Sequence, residues 1–366
     1  MVTSSLMNAR ERWVNTMTFK PVDRVVHEEF GYWRQTLERW HAEGLPAEID
    51  SDWKADRYFN FDPRGTAPAS LLMYPGFERK VLEDGGRVQI VQDGNGAICE
   101  VFKDGTATIP RFLEYGLKSR EDWARYREKL DPEMPGRYPD DWDKLAEGYK
   151  TRDYPLGLHL GGGFYGSLRD WMGVEGLSEA FYEQPGLIHE VLDTMCECMI
   201  KSAERALGSV KFDFASYWED MAYNKGPLMS PAMFEEFMVP RYKRVSEMLS
   251  RHDVNLTIVD CDGQMEPLVP MWLDAGVNIM FPLEVRAGVD AGRLRKQYGR
   301  RVLLMGGVNK IEIAKGKKAI DAELSRIAPL VAEGGFIPHA DHRVHPDVSF
   351  WDYLYYLEQK KKLLGF

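Results

Sequence analysis

Cysteine is scarce: only Cys99, Cys196, Cys198 and Cys261 occur in 366 residues, and they form neither a CxxC pair nor a thiolate metal spacing. They read as reduced, mostly buried thiols. Basic charge is also in deficit, with 47 Lys and Arg against 57 Asp and Glu and a formal net charge of −10. A general nucleic-acid footprint needs a basic surface and is therefore not expected, although a local cationic pocket for an acidic small molecule is compatible with this balance. No stretch approaches the roughly 18 apolar residues of a membrane span. The opening MVTSSLMNARERW carries charge where a signal peptide needs its apolar core. A cytoplasmic protein is expected. Two further absences narrow the chemistry: no early glycine fingerprint of a dinucleotide site or P-loop, and no serine, histidine and acid arrangement for acyl transfer.

What is abundant is aromatic surface and alternation of elements. Ten Trp and 17 Tyr exceed the needs of a core, so aromatic side chains are expected to line a cavity. From residue 151 a strand-like run is repeatedly followed by a helical one. The strands are expected at 155–162, 211–220, 255–263, 278–284, 301–307 and 336–341. Between and after them the helices fall at about 174–205, 231–251, 264–275, 290–298, 320–333 and 350–364. Ser230-Pro231 and Ser349-Phe-Trp-Asp352 read as helix starts, the second as a capping box, and Gly276 and Gly334-Gly335 as stops. With VVHEEFGY (25–32) and a less defined strand near 68–76, the count reaches eight. The expected fold class is α/β, a closed (β/α)8 TIM barrel over 1–366 as a single domain. Asp-Gly and Asn-Gly turns between β-prone runs at 85–113 predict an inserted antiparallel hairpin.

In such a barrel, residues at the C-terminal ends of the strands converge on one face. That rule selects Tyr32, Trp33 and Arg34 after the first strand, and Tyr165 and Arg169 after Gly161–Gly163. It adds Tyr217, Glu219 and Asp220, then Asp260 and Asp262, Glu284, and finally His339, Asp341 and His342. Asp260 and Asp262 are i,i+2, so on an extended backbone they share a face. Two such carboxylates repel unless a cation, a proton or basic groups separate them. The alternative for Asp262-Gly263 is a turn that caps the following helix. Of Glu219 and Asp220, one is expected to enter the pocket and the other to anchor a loop. Glu284 is either a pocket carboxylate or a partner for Arg286, and Lys310 faces either an anionic ligand or solvent. Arg34 and Arg169 are the arginines best suited to substrate carboxylates. Cys261 should point away from its acidic neighbours, and His339 should pack.

The ordered set WEDMAYNKGPLMSPAMFEEFMVPRY (218–242), VDCDGQMEPLVPMWLDAGVNIMFPLE (259–284), YGRRVLLMGGVNK (298–310) and GGFIPHADHRVHPDVSF (334–350) resembles the uroporphyrinogen decarboxylase-like (URO-D) superfamily. The resemblance spans nearly the whole chain and is weaker before residue 150. It implies two candidate chemistries. Porphyrinogen decarboxylases need no cofactor and carry an arginine-rich segment after the first strand. In GYWRQTLERW (31–40) only Arg34-Gln35 matches it, while Tyr165 resembles the family tyrosine and His342 the family histidine. Cobamide-dependent methyltransferases hold zinc by His-x-Cys-Gly and a later Cys. Aligning that glycine on Gly263 places Asp260, Asp262 and His342 at the ligand positions, which implies zinc or, with harder ligands, another divalent metal. The reading taken from the resemblance is a methyltransferase acting with a corrinoid (cobalamin) protein on a small-molecule substrate, as a homodimer. Uroporphyrinogen decarboxylase or a related carboxy-lyase is the alternative. The catalytic set is Asp260, Asp262, His342, Glu219 and Tyr165; the substrate-binding set is Arg34, Trp33, Tyr32, Arg169, Tyr217 and Glu284.

Overall fold

The computed structural model describes residues 6–103 and 109–366. Seven parallel strands form one curled sheet in the order Gly65–Thr66, Leu156–His159, Phe214–Trp218, Thr257–Asp260, Ile279–Phe281, Leu303–Val308 and Phe336–Ala340. All six strands expected after residue 151 are present, each shorter than its apolar run. Apolar runs overestimate strands because the chain stays buried for a residue or two after it leaves the ladder.

The eighth position differs from expectation. Residues 25–32 form no regular strand, but they run between the two edges of the sheet. On one side Asp62 N donates to His27 O. On the other, Tyr32 bridges Val344, and Ala340 N donates to the Glu29 carboxylate instead of to backbone. The expected strand near 68–76 is replaced by the two-residue strand Gly65–Thr66. Beyond it the Arg137 guanidinium takes the carbonyls of Ser70 and Leu72, so these are not available to a ladder.

Helices cover the outside. Phe350–Leu364 matches expectation, and Ser230 caps its helix by accepting from Met233 N at 3.2 Å. Ser349 accepts from Asp352 N and donates to the Asp352 carboxylate, so only half of the expected capping box forms. Glycine is obligatory at 306, where φ is +99° and a Cβ would run into Pro282 O. The insertion is larger than a hairpin. It is a four-stranded antiparallel meander, Lys80–Gly85, Val88–Gln92, Ile98–Phe102 and Arg111–Glu114. Asp93 Oδ1 accepts from Asn95 N and Ala97 N to shape one of its turns, and the Asp104-Gly105 turn lies outside the described residues.

The ends of the barrel are unequal. The helix Ala9–Met17 closes the end where the strands begin. Trp13 stacks against Phe214 at 4.9 Å, and Thr16 O accepts from Gly335 N. The end where the strands finish is left for chemistry.

Candidate active site

Three carboxylates meet at that open end. One oxygen each of Asp220, Asp260 and Asp262 lies within 4.8 Å of the others. The strand Thr257–Asp260 delivers Asp260, and the turn after it delivers Asp262, whose backbone N donates to Asp220 Oδ1 at 3.2 Å. Asp220 reaches the mouth because its backbone is left-handed, with φ +43°. That turn separates it from Glu219, which goes the other way.

The electrostatics are those of a site short of cations. The Asp260 carboxylate accepts no hydrogen bond among the described residues; its backbone carbonyl accepts from Glu219 N and Asp220 N. Burial, with Asp262 and Asp220 adjacent, raises the Asp260 carboxyl well above the usual carboxylate range against the pull of Arg64. Asp220 is raised for the same first reason, opposed by Arg169, which donates to Asp220 O at 2.7 Å. The Oδ1 atom of Asp262 is buried without a partner among the described residues. Its Oδ2 is 3.1 Å from His342 Nε2. His342 is held on two sides, by Trp33 stacked at 5.7 Å and by the edge of Phe30 at 5.2 Å.

Below the mouth a partly open cavity of about 270 Å³ is lined by Phe30, Arg64, His159, Trp218, Asp260 and Phe281, among others. A second cavity of about 280 Å³, with Asn95, Ser167 and Asp170, shares His159. A wider depression of about 440 Å³ around Arg10 and Lys211 lies at the opposite end of the barrel.

The structure thus brings together Asp260, Asp262, His342, Trp33 and Arg169. To the expected Asp260, Asp262, His342 set it adds Asp220, whose carboxylate clusters with those of Asp260 and Asp262, while His342 reaches the cluster through Asp262 Oδ2.

The other candidates are placed elsewhere. Arg34 is exposed and paired with Glu38 one helical turn away. Tyr32 is buried, its hydroxyl 2.7 Å from that of Tyr353. Tyr217 borders the cavity, but its ring packs on Tyr242 and Phe164, since alternation along Phe214–Trp218 sends the Ser216 and Trp218 side chains inward. Tyr165 is buried in the main core, where burial pushes its hydroxyl up to about 12.

Glu219 is fully buried and anchors a helix start. It accepts from the backbone N of Phe164, Tyr165 and Gly166 and from the Tyr242 hydroxyl. Glu284 holds the Asp262 turn by accepting from Gly263 N, and it faces Lys310 at 3.7 Å rather than Arg286. Lys310 is therefore an internal counter-charge, also 3.5 Å from Asp341. Cys261 and His339 are buried as expected. Arg64, His159, Ser216 and Trp218 were missed. The inward parity of Ser216 and Trp218 was readable from the strand, whereas Arg64 stands before a two-residue strand flanked by Pro63 and Pro68, which left no pattern to read.

A family model described as uroporphyrinogen decarboxylase (URO-D) matches residues 169–357. Proteins called uroporphyrinogen decarboxylase from Xanthomonas axonopodis pv. citri and Shewanella piezotolerans are 25% and 24% identical over 183 and 185 residues, or 46% and 48% of this chain. The match spans 48% of each relative, so about half of their length. A methyltransferase from Methanosarcina mazei has a similar fold, with a TM-score of 0.60 and 15% identity across 97% of this chain and 98% of that one.

Proposed function

This chain is a member of the uroporphyrinogen decarboxylase (URO-D) family, and from that premise we propose that it is a methyltransferase working with a corrinoid protein and a divalent cation. The observation that carries the reading is the convergence of Asp220, Asp260 and Asp262. A porphyrinogen bears many carboxylates and would meet three more at this mouth. The arginine that matches the decarboxylase motif, Arg34, points to solvent. Like charges so placed ask for a cation instead.

The donor set fits one. Among the described residues the Asp260 carboxylate accepts no hydrogen bond, and Asp262 Oδ1 is buried without a partner. Oxygen donors with one nearby imidazole favour a harder ion than a thiolate site does, so magnesium, manganese or an oxygen-bound zinc suits them. Asp260 and Asp262 would hold it, with Asp220 or His342 as the third ligand. Bound there, the ion supplies Lewis acidity to the heteroatom that carries the methyl group.

The protein's own groups do the rest. Arg169 fixes Asp220. Trp33 and Phe30 fix the His342 ring, which stands where it can give or take the proton exchanged by the demethylated heteroatom. The corrinoid-binding partner and the working homodimer come with the family resemblance. A cofactor-free carboxy-lyase is the second reading; it is favoured by Asp260, whose carboxyl is pushed toward its protonated form by burial and by Asp262 and Asp220, against the pull of Arg64.

Protein purified without chelators, mixed anaerobically with cob(I)alamin and a panel of methoxylated aromatics, methylamines and methanol, tests both. The expected result is conversion to methylcobalamin that requires the metal and fails in Asp262→Ala, with uroporphyrinogen left intact in parallel. Consumption of uroporphyrinogen, or transfer unchanged in Asp262→Ala, overturns the methyltransferase reading.

A further inference from the structure

Arg64 is a cation with spare capacity inside the barrel. A guanidinium has five N–H donors. Among the described residues Arg64 makes one hydrogen bond, to Glu28 Oε1 at 3.3 Å. Its side chain keeps 34% of its surface, and it lines the cavity of about 270 Å³. A planar fork with donors left over in a partly open pocket is suited to a carboxylate, which it can pair at two oxygens at once.

Most of the remaining wall is aromatic. Phe30 and Phe281 meet edge to face at 4.6 Å, Phe214 lies under the Arg64 guanidinium at 5.9 Å, and Trp218 is braced by Arg169 at 5.0 Å. Such faces and edges favour a flat ring between them. Size sets the limit. A closed apolar cavity of about 150 Å³ takes up benzene, so the volume of about 270 Å³ here matches a single substituted ring. The cavity also has a direction. Asp260 lines it, and the Phe30 ring touches both Phe281 within it and His342 at the mouth.

We propose that this cavity binds a small aromatic carboxylate, its carboxylate on Arg64, its ring among Phe30, Phe214, Trp218 and Phe281, and its far end toward Asp260 and His342. The cavity assignment deepens the methyltransferase reading and rests on it only for the reaction at that far end; binding at Arg64 does not depend on it.

Calorimetric titration of the metal-free protein with 4-methoxybenzoate, against its neutral isostere 4-methylanisole, tests the proposal. Wild type is expected to bind 4-methoxybenzoate saturably and 4-methylanisole at least about tenfold more weakly, the size of one lost charge-assisted pair. Arg64→Gln should weaken 4-methoxybenzoate by about tenfold or more, and Ser216→Phe, which fills the cavity, should abolish binding; circular dichroism checks that both variants are folded. Equal affinity for the two probes, or no binding of 4-methoxybenzoate to wild type, overturns the proposal without reference to any variant. Binding without methyl transfer from this ligand supports the cavity assignment and counts against the methyltransferase reading. Methyl transfer from other donors with no binding here does the reverse.

Discussion

His342 Nε2 lies 3.1 Å from Asp262 Oδ2, which joins the turn after one barrel strand to the loop that follows the last. The contact gives the Asp262 carboxylate an imidazole partner, whereas among the described residues the Asp260 carboxylate accepts no hydrogen bond and feels only the more distant charge of Arg64. The mouth is thus divided between a carboxylate tied to an imidazole and two that crowd each other. Replacing His342 with Gln should lower turnover in methyl transfer by about 10²–10⁴-fold, the range for losing a positioned acid or base. The thermal midpoint should move little, because His342 is near the surface of the mouth. Steady-state kinetics paired with melting curves check this, and a collapse in stability equal to the loss of activity would point to a structural role.

Asp260→Asn separates the cost of the acidic cluster from its use. With no metal present it removes a buried acid crowded by two carboxylates, so the variant should melt higher than wild type. Added manganese or zinc should raise the wild-type midpoint, by about 2–3 kcal/mol of stability at a hundredfold excess over Kd, and should leave Asp260→Asn nearly unchanged. The wild-type response should grow with pH, since burial favours the protonated form of Asp260 and the ion competes with that proton. Differential scanning fluorimetry at several pH values reads both effects.

Glu219 should make stability depend on pH. Burial raises it from 4.5 to about 7, although Tyr242 and three backbone N–H groups pull the other way. A carboxyl raised in the folded state stabilises the fold while protonated. That contribution is complete below about pH 4.5 and is lost as pH rises through about 7. Glu219→Gln would turn an amide NH2 toward donors, so it should cost about 2–4 kcal/mol. Its midpoint should also fall less than wild type's across that window. Denaturant melts at pH 4.5, 6 and 8 compare the two proteins, and parallel profiles would remove Glu219 as the titrating group.

Gly263→Ala should damage the site through the backbone. Gly263 has φ +81°, and a Cβ there would meet Ala222 C and O at 2.7 Å, which are main-chain atoms without side-chain freedom. The turn must shift, carrying Asp262 with it and loosening the bond from Gly263 N to Glu284. A stability loss of about 1–3 kcal/mol is expected, with a fall in metal affinity larger than that loss explains. Unchanged metal affinity would mean that the turn absorbs the methyl group without moving Asp262.

Much of this site could be read before the fold was known, and the failures have common causes. Asp260, Asp262 and His342 follow apolar runs, and strand parity alone puts Cys261 behind them, where it lies. The same parity, applied from Trp218, selects Asp220 rather than Glu219. Choosing between adjacent acids fails when only the first is counted from the strand, because the left-handed turn at Asp220 is tertiary information. Tyr32 and Arg34 show a second limit. Both follow the first barrel segment, yet one is claimed by Tyr353 and the other by Glu38 on its own helix. The two-residue strand Gly65–Thr66 shows a third, since a pairing that short leaves no alternation to detect. Arg64 was lost with it.

The most direct test is an equilibrium titration of chelator-stripped protein with manganese and zinc, followed by calorimetry and confirmed by elemental analysis of the dialysed complex. One ion should bind per chain, tighter as pH rises, and binding should disappear in Asp262→Ala. Failure of wild type to bind either ion, or an Asp262→Ala protein that binds as wild type does, would contradict a cation site at Asp220, Asp260 and Asp262.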